Sequence, residues 1–239
     1  MASFVLIHGN WHGGWCFDPV ADILRSAGHE VIAPDLPGMG ARGNALDDIS
    51  LDLWAEFTVA LCRDAAQKPP VLVGHSRGGI VISRAAELAP EAVDRLVYVC
   101  ALMLPDGKSV AEWRAEEFDK RAIDEIIDRI EDGKATVVDP DRAAQHFAQL
   151  APTDVAQDAM TRLVSEPTAP ATTKLSLSPE RFGSKPRCYI RCTQDRVIPL
   201  VAQDRMIAAL PDTRVATLDS DHSPFLSFPS ELGELLTRQ

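Results

Sequence analysis

Cationic charge, close cysteine pairs and long apolar runs are all scarce in this chain, and each shortage removes a class of function. Lys and Arg number 24 against 35 Asp and Glu, giving a formal net charge of −11. That balance opposes binding to nucleic acid or to an anionic membrane surface and disfavours strongly anionic substrates. The five cysteines are odd in number and contain no C-x-x-C motif, with Cys188 and Cys192 too widely spaced to form one. They exclude a disulfide framework and read as buried thiols. No apolar stretch approaches the roughly 20 residues needed to cross a bilayer. The opening run from Met1 to Gly9 has no basic segment and enters a strand-like run at once, unlike a secretory signal, so a cytoplasmic location is the expectation. Internal repeats and low-complexity stretches are absent too.

What is there is the composition of an ordinary globule: 239 residues, 46% hydrophobic and 25% charged, enough for one large domain with a substantial core. Apolar runs alternate with amphipathic stretches. Strands are predicted over about 3–8, 30–34, 70–75, 95–102, 187–192 and 214–218, and helices over about 17–27, 50–66 and 77–89. Such β-α alternation implies an α/β fold: a mainly parallel sheet of about six strands, covered by helices on both faces and joined by right-handed crossovers. Ligands bind such sheets beyond the carboxyl ends of the strands. The alternation breaks between 104 and 186, where polar segments such as AEEFDKRAIDEIIDRIEDG and DPDRAAQHFAQL read as helices. The expected organisation is a core of 1–103 and 187–239, with a helical cap of 104–186 inserted before the last two strands and roofing the ligand edge.

The densest signal is Gly74-His75-Ser76-Arg77-Gly78, launched from Val71-Leu72-Val73 and followed by Gly79-Ile80-Val81-Ile82. A strand that passes straight into a helix through G-x-S-x-G turns too sharply for bulky neighbours, and the glycines leave room around the serine. The turn lifts Ser76 to the carboxyl edge of the sheet, where the first amides of the helix point at the same spot. Five residues alone are weak evidence; the strand before and the helix-like ISRAAELAP after supply the required context.

A serine nucleophile needs a base and a carboxylate to orient it. Among the six histidines, His222 is best placed, in the loop Asp219-Ser220-Asp221-His222-Ser223-Pro224 after the last predicted strand. His8 and His12 belong to the exit of the first strand, His75 adjoins the elbow, His29 precedes a strand and His146 lies in the cap segment. For the acid, Asp195 follows a strand and keeps the order Ser, Asp, His. Asp106, Asp219 and Asp221 are its rivals, and a helix-capping role is the plainer reading of Asp195.

The second oxyanion donor belongs in His8-Gly9-Asn10-Trp11-His12-Gly13-Gly14-Trp15, so the backbone N–H groups of Asn10 and Arg77 are the expected pair. Its glycines could suggest a phosphate loop, but neither G-K-[ST] nor G-x-G-x-x-G occurs. The Trp11 side chain lines the pocket or packs in the core; that of Arg77 reaches the pocket or pairs with an acidic neighbour.

Taken together, FVLIHGNWHGGWCF, GHEVIAPDLPGMG, GHSRGG, TQDRVIP and SDHSPFLSFP resemble the α/β-hydrolase superfamily, in the branch of plant methylesterases, hydroxynitrile lyases and related bacterial carboxylesterases. The likeness covers nearly all of the chain outside the cap, and H-G-x-x-H-G-x-W is its most specific part. It implies an α/β-hydrolase fold, Ser76 as nucleophile, Asp195 as acid, His222 as base, and the Asn10 and Arg77 amides as oxyanion hole. It implies cleavage of a small neutral ester with no metal and no organic cofactor, and leaves open a homodimer. Lactone, thioester or carbon–carbon bond hydrolysis on the same triad, and a receptor-like protein of low turnover, remain alternatives. The lyases of this branch carry threonine where this chain has Gly9 and lysine where it has Ser223, so an esterase is favoured over a lyase.

Overall fold

The computed structural model describes residues 1–39, 46–65, 68–117 and 122–238. Its centre is a six-stranded parallel sheet built from β1 (Ser3–Ile7), β2 (Glu30–Ile32), β3 (Val71–His75), β4 (Arg95–Val99), and, after the inserted segment, β8 (Arg187–Cys192) and β9 (Thr213–Leu218), in the order β2-β1-β3-β4-β8-β9. Alternate side chains take opposite faces, as a pleated strand requires. Val5, Ile7, Leu72, Leu96, Tyr98 and Tyr189 pack on one face. Phe4, Leu6, Val71, Val73, Val97, Val99 and Ile190 pack on the other. Each such side chain contributes about 1.5–3 kcal/mol of burial free energy, so the apolar runs are the main determinant of the sheet.

Helix α1 (Asp18–Ser26) opens with proline in its first turn and buries Val20, Ala21 and Leu24; Gly28 ends it at φ +85°. Helix α2 (Leu51–Asp64) is capped by Ser50, whose hydroxyl accepts the Leu53 N–H at 3.0 Å. Helix α3 (Gly78–Leu88) packs beside α2. Helices α8 (Leu200–Ala209), α9 (Pro224–Ser227) and α10 (Pro229–Thr237) complete the cover, with α10 against α1.

The strand order reverses at β1, since β2 lies on one side of it and β3 on the other. A crevice opens at such a switch point outside the carboxyl ends of the strands. Here those ends release the Asn10 loop from β1 and the Ser76 turn from β3.

Between β4 and β8 the chain forms α4 (Val110–Glu117), β5 (Ile127–Ile130), β6 (Ala135–Val138), α5 (Pro140–Phe147), α6 (Thr153–Thr161), β7 (Glu166–Pro167) and α7 (Ala169–Thr172). The strands make a separate antiparallel sheet in the order β5-β6-β7. A purely helical reading of 115–133 is therefore corrected: α4 stops at Glu117, residues 118–121 lie outside the described residues, and Ile127–Ile130 is extended. The isoleucines suit either period, but Thr136, Val137 and Val138 offer a β-branched partner strand. Glu131, Asp132 and Gly133 close the hairpin, all with positive φ. Strand β4 also ends earlier than its apolar run suggests, because Cys100 turns to φ +35° and Leu102 N–H donates to the Ser76 carbonyl at 2.9 Å.

Candidate active site

Ser76 sits at φ +51°, a conformation that costs a non-glycine residue on the order of 1–3 kcal/mol and persists only when its surroundings hold it. They do so through three backbone bonds: Ser76 N–H donates to Val99, and its carbonyl accepts from Gly79 and Leu102. The glycines are required by close approach. A Cβ on Gly78 would lie 2.4 Å from the Ile7 carbonyl oxygen, and one on Gly79 would lie 2.5 Å from that of Leu102.

His222 arrives from the loop after β9. Its Nδ1 lies 2.7 Å from Asp195 Oδ2 and its Nε2 lies 3.0 Å from Ser76 Oγ. A carboxylate only accepts, so Nδ1 carries the proton toward Asp195 and leaves Nε2 to accept the serine hydroxyl. All three side chains are buried. The histidine backbone is fixed from beneath, since its carbonyl accepts from His75 Nε2 at 2.7 Å.

Asp195 does not cap the following helix, which starts at Leu200 behind Pro199 with no side-chain cap; besides meeting His222, its Oδ1 closes the loop turn by accepting the N–H groups of Val197 and Ile198 at 2.7 and 2.8 Å. Its rivals lie elsewhere in the bonding pattern. Asp106 accepts from Leu177 N–H. Exposed Asp219 binds Thr193 and Gln194. Asp221 is buried and holds Leu150 N–H at 2.8 Å, Ser223 N–H at 3.2 Å and the Ser227 hydroxyl.

Burial of the neighbouring rings excludes them as carriers of charge. Desolvation lowers His8 to about 3 and His12 to about 4, and pushes His75 well below the usual imidazole range. His8 bridges Gly9 carbonyl and Leu36 N–H, and His12 reaches the Asn10 carbonyl, so these two brace the loop after β1. His75, Cys100 and His222 are close enough to suggest a metal cluster. Two of the three are already committed to the arrangement just described, and burial raises the Cys100 thiol far from its ligating thiolate form.

Asn10, Ser76, Arg77 and His222 line one cavity of about 50 Å3, walled by apolar side chains that include Leu102, Trp113, Phe147 and Ile198. Neither the Asn10 nor the Arg77 N–H is bonded to a backbone carbonyl among the described residues. Trp11 serves both readings, lining the cavity while 5% exposed in the core. The Arg77 side chain turns to an acidic neighbour: Nε lies 2.8 Å from Glu166 Oε1, and the guanidinium stacks 4.0 Å over Trp54. Glu166, Phe147 and Trp113 come from the inserted segment, where sequence singles out none of them. The one available signal is Arg77 itself, because a cation beside a buried elbow requires an anion nearby.

The chain belongs to the Alpha/beta hydrolase family, whose pattern matches residues 4–235, and the six-stranded sheet has that fold. Among curated relatives, Methylesterase 7 of Arabidopsis thaliana is 33% identical over 98% of this chain and 94% of its own length. Putative methylesterase 11, chloroplastic, from the same plant is 34% identical over 98% of this chain, which spans 62% of that protein. Among solved structures, a pyrethroid hydrolase from Sphingobium faniae JZ-2 superposes with a TM-score of 0.89 at 26% identity, covering 99% of this chain and 96% of that one. No helix among the described residues is long and apolar enough to cross a membrane.

Proposed function

We propose that this protein is a carboxylic ester hydrolase acting through a Ser-His-Asp triad and an acyl-enzyme. The observation that carries the reading is the continuous relay from Ser76 Oγ through both nitrogens of His222 to Asp195 Oδ2, at 3.0 and 2.7 Å. Ser76 attacks the ester carbonyl as His222 takes its proton, and the imidazolium returns that proton to the leaving alcohol. Water, deprotonated by the same ring, then releases the acid. Asn10 and Arg77 line this cavity, and their N–H groups are the proposed donors to the oxyanion in both steps.

The names of the relatives, methylesterases and a pyrethroid hydrolase, support an ester as substrate. So does the chamber, where Leu102, Val110, Trp113, Phe147, Val197 and Ile198 give an apolar wall beside Ser76. The inserted segment 104–186 acts as a cap that shapes this chamber.

A lyase reading meets a steric obstacle. A Cβ on Gly9 would lie 2.8 Å from the Ser76 Cβ and 2.9 Å from His75 Nδ1, so the threonine of the lyase branch does not fit this backbone. Ser223, buried and uncharged, supplies no cation for departing cyanide.

A fluorophosphonate probe with mass spectrometry, alongside turnover of short p-nitrophenyl esters and cyanide release from mandelonitrile, tests the proposal. The adduct is expected on Ser76, with ester turnover lost in Ser76→Ala and cyanide release at background. An adduct elsewhere, or Ser76-dependent cyanide release without ester turnover, overturns it.

A further inference from the structure

One buried carboxylate of the inserted segment touches both sides of the place where the oxyanion forms. Glu166, on β7, is 3% exposed. Its Oε2 accepts the backbone N–H of Trp11 at 3.2 Å, and its Oε1 lies 2.8 Å from Arg77 Nε. Trp11 follows Asn10 and Arg77 follows Ser76, so one contact falls on the backbone next to the Asn10 N–H and the other on the side chain of the residue that carries the second N–H. Arg77 also returns to the first loop, with Nη2 donating to the Gly9 carbonyl at 3.2 Å. Glu166, Arg77 and Gly9 therefore close a bridge between the two flanks.

Trp11 shows why that bridge matters. It stands at φ +58°, in the left-handed region that a bulky aromatic residue rarely occupies. Three of its polar groups are held from the inserted segment. Besides the N–H bond to Glu166, its carbonyl accepts Val164 N–H at 2.8 Å and its indole Nε1–H donates to Thr136 Oγ1 at 3.1 Å. The strained turn that aims the Asn10 N–H is thus held by residues about 125 to 155 positions away in sequence.

We propose that Glu166 is a positioning residue for transition-state stabilisation, holding the Asn10–Trp11 turn and the Arg77 side chain so that both oxyanion donors converge. It touches neither substrate nor the reacting atoms. Its effect is on the rate of the step in which negative charge develops, and not on substrate affinity, because the donors it aims are needed only when that charge appears. The inference rests on the esterase reading above.

The test compares Glu166→Gln and Glu166→Leu with the parent in kcat, KM and inhibition by an alkyl trifluoromethyl ketone, whose adduct with the serine carries an oxyanion. Glutamine keeps an oxygen for Trp11 N–H but leaves Arg77 without a counter-charge; leucine removes both contacts. Losing one oxyanion donor outright costs about 10²–10³ in kcat, so leucine, which only misaims it, is expected to lower kcat by roughly 30- to 100-fold and glutamine by roughly 3- to 10-fold. KM is expected to stay within about threefold and the ketone to weaken in step with kcat. Circular dichroism checks folding, and if the leucine variant does not fold, the near-isosteric glutamine variant decides the question alone. Parent-like kcat in folded Glu166→Gln overturns the proposal, as does a change confined to KM, or a fall in kcat with unaltered ketone inhibition. Ester turnover that survives Ser76→Ala sinks the esterase reading instead, so the two failures are distinct.

Discussion

The parallel sheet and the inserted segment place their contributions to the site by different means. In the sheet, position follows from register: Ile7 pairs with Gly74 and His75 with Val99, so the loop after β1 and the elbow emerge side by side from buried strands. In 104–186 the elements are short; side chains such as Trp113 and Phe147 join the main core, and polar bonds to distant loops fasten the segment as well. Leu150 N–H reaches Asp221 beside the histidine, Gln149 donates to the Gln194 carbonyl at 2.7 Å, and Arg196 donates to the Gln145 carbonyl at 3.0 Å. Displacing a strand disturbs many neighbours at once, whereas removing one carboxylate loosens one corner of the inserted segment. The proposed catalytic groups rest on the sheet edge, whereas the wall around them adds separable polar contacts to its apolar packing.

The strongest challenge to that contrast is a substitution in the relay. Asp195→Asn removes the acceptor for His222 Nδ1–H while keeping the shape, and a fall in kcat on the order of 10⁴ is expected, as for the equivalent change in a serine protease. Asp106→Asn and Asp219→Asn, away from the relay, are expected to change kcat less than about twofold. Steady-state kinetics on one ester ranks all three.

Next in size is a pH effect on the core-side loop. His8, His12 and His75 are buried with lowered pKa, so the unfolded chain binds more protons than the folded one below about pH 6.5. Their stabilisation is present above that pH and is lost as the pH falls. Glu166 has the opposite sign: burial raises it to about 7, so its share of stability is present below its ordinary value near 4.5 and lost as the pH rises toward 7. Near pH 5.5, three histidines against one glutamate leave about two protons net, and stability is expected to fall by roughly 2–3 kcal/mol per pH unit of acidification from these groups. Urea unfolding between pH 5 and 7 measures the slope.

A smaller effect addresses the polar contact between the regions at Asp221. Asp221→Asn keeps an oxygen for one of its N–H donors but not the charge shared by Leu150, Ser223 and Ser227, and is expected to destabilise the protein by about 1–3 kcal/mol. Its kcat is expected to fall far less than that of Asp195→Asn. At the far end, breaking the exposed pair of Lys108 and Glu116 with Glu116→Gln should leave the Tm unmoved in a thermal scan.

The same division governs what sequence reveals. The central strands β1, β3, β4 and β8 are legible because burial on both faces demands apolar runs, and the turn at Ser76 because close backbone approach demands glycine at 78 and 79. Ser76, Asp195 and His222 are candidates because each follows a strand on one edge. In the insertion, Ile127–Ile130 is readable only together with the partner strand at Ala135–Val138, a tertiary fact. Glu166 is one acid among 35 acidic residues, and what distinguishes it, an approach to Arg77 from 89 positions away, has no local signature. Where placement depends on one long-range polar bond, composition and periodicity carry no trace of it.

The way Trp11 is held bears on how such enzymes diverge. A lid fastened only at its rim could be exchanged between relatives as a unit, bringing a new pocket to an old scaffold. Here the scaffold turn is fastened to the inserted segment through Thr136, Val164 and Glu166. A graft that replaces 104–186 must carry an acceptor for the Trp11 amide and another for its indole, or replace Trp11 with a residue at ease in the left-handed region. Recombination across these boundaries is therefore constrained at one scaffold position, and specificity is freer to drift by changing cavity side chains such as Val110 and Phe147 than by exchanging the whole segment.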